Sequence, residues 1–382
     1  MGTRKIHVAV VSAYPPDRGR LSEYAKMLLT SLIKINPNLK ITVLADSRLS
    51  YSDGPILVRS AWKPDSPASL LKIVKEIIKS KPHLVIFNVH FAVFGKRRIS
   101  NFIGFLVIYI TNLLKKILKF KTITILHNIP EAIKIEVLGL KRTIVNNVGF
   151  LLAEKMALSS NVVAVTLKLY AIMLEKRFRK KILHLPHGAW SWSTNTPIKP
   201  DDRDVIAFIG YLSPTKDLEV LVNAFKKVKE RTTNIKLYII GSPHPNFPEA
   251  ISKLVSIRGN GVEILGYTPD EELPRVFRKT LVVVLPYKTA TGSSGVLHLV
   301  CSAGIPVISV NLPEFRELAK EGAGIILTKM SAEDIANKIQ LLIKNKELWY
   351  SLSKKSMDFG IKRSWDYVAK ELNNIINTVL KH

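Results

Sequence analysis

Four small residues in succession, Gly292, Ser293, Ser294 and Gly295, interrupt an otherwise apolar stretch and are the positions best suited to chemistry. They follow residues 281–285, a fully apolar, largely β-branched run of the kind a strand buried on both faces requires. Residues 296–303 have helical length before Gly304 stops them, and 306–310 read as another buried strand. Glycines at 292 and 295 have no Cβ, so the backbone can turn sharply and approach a ligand. Unpaired N–H groups at the helix start, with the positive end of the helix dipole, suit a phosphate. The same residues also fit a helix capped by the hydroxyl of Ser293 or Ser294 with no ligand at all.

Other candidates stand where strands end. Residues 84–87 are a buried strand leading into Asn88-Val89-His90, and strand 122–126 ends in His127-Asn128. Open parallel sheets bind ligands outside the carboxyl ends of their strands, which places His90 and His127 at such edges. A lone histidine there is more often structural, bonded to backbone, than catalytic. Strand 205–209 ends in Gly210 and a loop that carries Lys216 to the start of a helix. Lys216 reads either as an anion contact or as a solvated charge.

The elements that must position these residues alternate. Helices at 22–35, 70–79, 102–118, 151–158 and 167–179 separate strands at 6–12, 39–44, 84–87, 122–126 and 162–165. From 205 the plan repeats, with strands at 205–209 and 236–241 and helices at 218–230, 248–257 and 270–277. Further helices are predicted at 314–320, 331–344 and 365–380, with Ser331 as an N-cap. Strands alternating with helices predict α/β architecture with two doubly wound sheets. Residues 189–204 are polar, with two prolines and three closely spaced aspartates, and read as a linker. The expected division is 1–188, the linker 189–204, 205–360, and a last helix at 361–382.

The 382 residues suffice for two cores, and the apolar content of 47% is that of a globular protein. Lysine and arginine number 57 against 30 acids, a formal charge of +27, which favours anionic partners. No nucleic-acid-binding motif accompanies the charge, and the basic residues are spread along helices, so nucleic acid is the weaker reading. The one cysteine, Cys301, reads as a small buried residue, and no disulfide is possible within the chain. The short run 6–11 after Arg4 and Lys5 lacks a cleavage pattern and reads as a first strand, not a signal peptide. In the apolar helix at 102–118, the uncharged core 101–114 is shorter than the ~20 residues a bilayer span needs. It reads as a buried helix first and an interfacial one second. Asp202-Arg203-Asp204 fits an Asp-x-Asp metal motif, but it precedes a strand within the linker and is read as chance.

The order Pro286-Tyr287, Ser293-Ser294-Gly295-Val296-Leu297, then Ala303-Gly304-Ile305-Pro306-Val307-Ile308 resembles the donor-binding segment of family 4 glycosyltransferases. The resemblance implies the GT-B fold, two Rossmann-like domains facing across a cleft. It also implies a retaining, metal-independent transfer of sugar from a nucleotide diphosphate donor, with no cofactor. On that resemblance His127 contacts the transferred sugar, Lys216 neutralises the diphosphate, and Gly266-Tyr267 hold the base through backbone. Gly210, Lys288 and Thr291 to Gly295 complete the donor site, while Gly19, Arg20 and His90 line the acceptor side. His187-Gly188 matches a segment before the interdomain link, where His187 is read as fixing a turn.

The departures are specific. Aligning on Gly304 and Pro306 puts Thr291 and Leu299 where the family carries two glutamates. No arginine lies between Gly210 and Lys216, and Asp217 and Arg20 stand where glycines are expected. Lys288, or a basic loop with Arg18 and Arg20, is the candidate replacement for that arginine. The expected acceptor is a glycan or lipid-linked glycan at the inner face of an anionic membrane, with the protein cytoplasmic. A GT-B epimerase, a non-catalytic sugar-nucleotide-binding protein and a nucleotide-dependent dehydrogenase are the competing readings. Gly19 alone does not supply the glycine-rich turn that the dehydrogenase needs.

Overall fold

The computed structural model describes residues 5–16, 19–46, 49–192, 199–244, 247–251 and 259–381. The chain forms two compact units, Met1–Ile133 with Lys141–Gly188 and Trp365–His382, and Lys134–Leu140 with Ala189–Ser364.

The first unit is built on β1 (Ile6–Val11), β2 (Leu39–Ala45), β3 (Tyr51–Asp53), β4 (Ile56–Ser60), β5 (Leu84–Val89), β6 (Lys121–Leu126), β7 (Val162–Val165) and β8 (Leu183–His184). Their order in the sheet is β3-β4-β2-β1-β5-β6-β7-β8, parallel throughout except for β3 against β4. Helices α1 (Arg20–Ile35), α2 (Pro67–Ser80), α3 (Arg98–Leu118), α4 (Ile144–Ala157) and α5 (Lys168–Phe178) connect them. Every residue of β5 is buried, as a central strand covered on both faces demands. The β3–β4 hairpin was not legible in the sequence: β3 is three residues long, none of them buried, so no apolar pattern marks it.

The second unit holds β9 (Val205–Ile209), β10 (Lys236–Ile240), β11 (Val262–Gly266), β12 (Thr280–Leu285), β13 (Val307–Val310) and β14 (Ile325–Thr328). The order is β11-β10-β9-β12-β13-β14, all parallel. Helices α6 (Leu218–Lys229), α7 (Leu273–Lys279), α8 (Gly295–Ser302), α9 (Pro313–Lys320), α10 (Ala332–Lys344) and α11 (Lys346–Lys362) flank it. Of the helix expected at 248–257, Pro248–Ile251 is a short 3-10 turn and 252–257 lie outside the described residues. α11 escaped the sequence reading because small residues interrupt the packing face that Trp349, Leu352 and Phe359 form. Ser353, Ser356 and Gly360 are buried, and a Cβ on Gly360 would come 2.6 Å from the Ser302 backbone. Hydrophobic periodicity does not report such a face.

In each sheet the strand order reverses once, between β1 and β5 and between β9 and β12. Those switch points are where doubly wound sheets take their ligands. The last helix, α12 (Trp365–Lys381), lies on α1 of the first unit: Asn36 donates to Asn373 at 2.9 Å and Lys34 pairs with Asp366 at 3.5 Å. Residues read as a linker are held in the second unit instead. Ala189 donates to the Arg363 carbonyl at 2.7 Å, and the Trp192 indole donates to Ser302 at 2.8 Å. Residues 193–198 lie outside the described residues.

Candidate functional site

The switch point of the second unit is closed by backbone. Asp217 donates to the Pro286 carbonyl at 2.8 Å, Lys288 donates to Thr215 at 2.9 Å, and Lys216 faces Tyr287 as an antiparallel bridge. Thus the loop after β9 and the loop after β12 are zipped into one edge. Gly210 and Gly241, both at positive φ, allow two strand ends to cross there. A Cβ on Gly241 would sit 2.0 Å from the Gly210 carbonyl oxygen.

That edge aims Lys216 at the Tyr287 ring, with Nζ 3.4 Å from the ring centroid. Crowding by protein atoms depresses the ammonium to about 7, although part of the side chain still meets solvent. The ring face acts in the other direction, favouring the cation. Lys288 forms an ion pair with Asp217 at 3.0 Å, and Asp217 also caps α6 by accepting from Val220. The charge expected to replace the missing arginine therefore already has a carboxylate partner.

The small-residue loop comes next. Thr289 anchors it by accepting the Lys134 N–H at 3.0 Å. Thr291 is exposed, whereas Gly292 and Ser293 are buried, and Gly292 has φ +137°. Ser294 has φ +56°, uncommon for a residue with a side chain, and its hydroxyl accepts from Leu297 at 3.4 Å as the cap of α8. The capping reading is thus realised. It leaves the first N–H groups of the helix, at Gly295 and Val296, without intrahelical partners, so the anion-binding geometry coexists with the cap. Leu299, at the second glutamate position, is fully buried. So is Cys301, whose thiol burial pushes up to about 12, which removes it as a nucleophile.

Gly266, at φ +69°, and the half-exposed Tyr267 end β11, two strands from the switch point, or roughly 10 Å along the edge. Between them lies an aromatic group that the sequence reading passed over. Tyr211 meets His244 edge-on at 5.4 Å, and His244 meets Phe247 at 5.7 Å. Its signal was present, since Tyr211 and His244 both follow the apolar runs of adjacent strands.

At the switch point of the first unit a directed chain of hydrogen bonds forms. The Ser12 hydroxyl donates to the Ala13 carbonyl at 2.7 Å, so toward Asn88 it accepts, and Asn88 Nδ2 donates to it at 2.9 Å. Asn88 Oδ1 then faces His127 Nε2 at 2.7 Å and must accept. His127 is therefore the Nε2–H tautomer, with its lone pair on Nδ1. Burial first, then the neighbouring His187 and His90, hold its pKa well below the ordinary histidine range, although the ring keeps some exposed surface. Tyr24 packs edge-on against it at 4.4 Å.

His90 accepts from the Ala92 N–H at 3.1 Å and so fixes its own turn. His187 is buried, donates to the Gly188 carbonyl at 2.7 Å and lies against Tyr24 and Trp365, as a turn residue would. Gly188 is required there because a Cβ would meet the Trp365 ring at 2.3 Å. Gly19 caps α1 in extended conformation and Arg20 is its first residue; the Arg20 side chain and Asp17 and Arg18 lie outside the described residues. In the Asp-x-Asp stretch, Arg203 points inward, donating to the carbonyls of Phe277 and Thr280 and lying over Trp349 at 5.3 Å. Arg203 thus anchors the start of β9.

Two doubly wound units, each with a switch point at the carboxyl edge of its sheet, make the GT-B fold. Residues 194–358, less than half of the chain, match the family model of glycosyl transferases group 1. An uncharacterised glycosyltransferase of Methanocaldococcus jannaschii is 28% identical over 188 residues, 47% of this chain and 46% of the relative. The chain thus matches less than half the length of such curated relatives. Sucrose-phosphate synthase of Thermosynechococcus elongatus has the same fold at TM-score 0.76 and 15% identity, covering 99% of this chain and 100% of that one. Anabaena HepE, solved with UDP-glucose, follows at TM-score 0.71 and 13% identity, covering 98% and 100%.

Proposed function

We propose that the protein is a retaining, metal-independent glycosyltransferase that moves a sugar from a nucleotide diphosphate sugar to a glycan or lipid-linked acceptor. The observation that carries this is the zipped switch point of the second unit, where Tyr287, the ring under Lys216, and Val296 of α8 both border Gly210. A diphosphate there meets one ammonium and the backbone N–H groups of Gly295 and Val296. Both stabilise the charge that develops as the diphosphate leaves. The aromatic edge of Tyr211, His244 and Phe247, with Gly266 and Tyr267, offers stacking surface for the base. In the first unit, Nδ1 of His127 is an acceptor for a sugar hydroxyl. The complex of HepE with UDP-glucose supports a uridine donor as the first to try.

A non-catalytic sugar-nucleotide-binding protein is the second reading, favoured by the buried Leu299 and by the Lys288–Asp217 pair. Thermal shift against nucleotide diphosphate sugars separates the readings when paired with donor hydrolysis. A ligand at 100-fold its dissociation constant stabilises by about 2.7 kcal/mol. Stabilisation lost in Lys216→Met and Ser294→Trp, with turnover in wild type, is expected. Stabilisation without turnover on any acceptor would select the second reading, and no stabilisation by any nucleotide would overturn both.

A further inference from the structure

In the first unit, α3 is apolar on its outer side as well as on its buried side. Its buried side carries Ser100, Gly104, Thr111 and Asn112 among the apolar residues. Its outer side carries Ile99, Tyr109, Leu113 and Ile117, exposed by 56%, 42%, 59% and 75%. The inner polar groups are committed: Thr122 donates to Asn112 at 2.6 Å and Asn112 donates to Ser160 at 3.2 Å. Gly104 sits so close to Phe94 that a Cβ would lie 2.0 Å from its ring. The helix is thus fixed to its sheet with an apolar stripe facing out.

The neighbouring helices extend the stripe. At the start of α4, Ile144 and Val145 are exposed by 83% and 80%, and Arg98 of α3 donates to Asn146 beside them. Between α2 and α3 runs a groove lined by Leu71, Val74, Ile78 and Ile110. An apolar surface this continuous is not left to water without a use.

The charge around it identifies the occupant. Between Glu76 and Glu131 the sequence has nine lysines and arginines and no acid. Arg97 and Arg98 flank one end of the α3 stripe, Lys116 and Lys119 the other, and all four are exposed. The nearby carboxylate of Asp65 accepts from the backbone N–H groups of Lys96 and Arg97. Pairing this face with a second copy would set like charges against each other. An anionic bilayer satisfies both features, burying the stripe at the acyl boundary and meeting the cations with lipid phosphates.

The geometry points to the α2–α3–α4 face of the first unit as a docking surface for an anionic lipid bilayer, with α3 lying in the interface plane. Among the described residues α3 alone is long and apolar enough to cross a membrane, but its inner side is packed on the sheet, so it lies and does not span. This surface belongs to the first unit and does not depend on the transfer reading.

The test is cosedimentation of the full chain with phosphatidylcholine vesicles, with and without phosphatidylglycerol, at low and high salt and without donor. Wild type is expected to bind the anionic vesicles at least tenfold more tightly than the neutral ones. Leu113→Ser combined with Ile117→Ser and Val145→Ser should lose binding that survives high salt, while R97Q with K116Q and K119Q should lose it at low salt. Circular dichroism of these exposed-site variants checks that the fold is kept. Wild type left in the supernatant, or apolar variants that bind as well as wild type at high salt, would overturn the proposal. So would light scattering showing a wild-type dimer that the apolar variant abolishes, with no vesicle binding, which assigns the face to a second copy.

Discussion

The side-chain oxygen of Asn88 accepts from Nε2 of His127 at 2.7 Å, and the Ser12 hydroxyl fixes which way round that amide sits. Burial and the neighbouring His187 and His90 keep His127 neutral, and the bond to Asn88 puts its one proton on Nε2, so Nδ1 offers a lone pair. Asn88→Asp replaces an amide by a carboxylate at the same place. The imidazolium then gains an opposite charge, and the His127 pKa is expected to rise above the ordinary histidine range. Imidazole nitrogen shifts followed by NMR across pH 5–9 read this directly. A wild-type His127 with its proton on Nδ1 at neutral pH would contradict the hydrogen-bond chain, and one that titrates in the ordinary range would contradict the effect of burial.

Lys216 supplies a second pH dependence, again from burial. Burial holds its ammonium at about 7, so a bound diphosphate must raise the pKa and take up a proton. Affinity for nucleoside diphosphate is therefore full below pH 7 and falls as pH rises, approaching tenfold per unit. Calorimetric titration from pH 6 to 9 checks it, with Lys216→Arg expected to be flat because arginine stays charged. Lys216→Met should weaken binding by about 1.5–3 kcal/mol at pH 6, the range for a hydrogen bond to a charged group.

Ser294 has two separable roles. Ser294→Ala removes the cap of α8 and should cost about 1 kcal/mol of stability while nucleotide affinity changes little. Ser294→Trp fills the loop and should abolish binding in a protein that still folds. Urea unfolding and nucleotide titration of the two variants decide between them.

Arg203 and its flanking aspartates make opposite predictions. Asp202→Asn with Asp204→Asn should leave nucleotide binding, and any effect of a chelator on it, unchanged. Arg203→Ala strips donors from the carbonyls of Phe277 and Thr280 and should destabilise the second unit by about 1–3 kcal/mol per lost bond. A chelator-sensitive activity lost in the aspartate variants would show that the triplet holds a metal.

The last helix is anchored by Trp365, which is 4% exposed and packed against Tyr24, His187 and Gly188. Trp365→Ala is expected to destabilise the first unit by about 3–5 kcal/mol. Because Tyr24 also packs on His127, the NMR signals of that imidazole should shift with it.

By itself the sequence determined the alternation of apolar strands and helices, the doubly wound architecture and the small-residue loop at 292–295. Each rests on local signals, namely burial on both faces, helical period, and glycines at a strand–helix junction. It also marked His127 and Lys216 as strand-end and loop residues, because position along the chain and carboxyl-edge placement are linked by topology. The hairpin β3–β4 was silent because β3 buries nothing and β4 buries only Ile56 and Val58, and α11 because small residues interrupt its buried apolar face. What Lys216 rests on, that Asp217 claims Lys288, and that Asn88 and Ser12 dictate the tautomer of His127 could only be decided by the folded chain. Those relations join residues 39 to 76 positions apart, or 71 in the case of Lys288 and Asp217, and only the crossing of strand ends at a switch point brings them within bonding distance. The apolar stripe of α3 follows the same logic. The sequence showed an apolar helix, and the packing decided which side of it faces out.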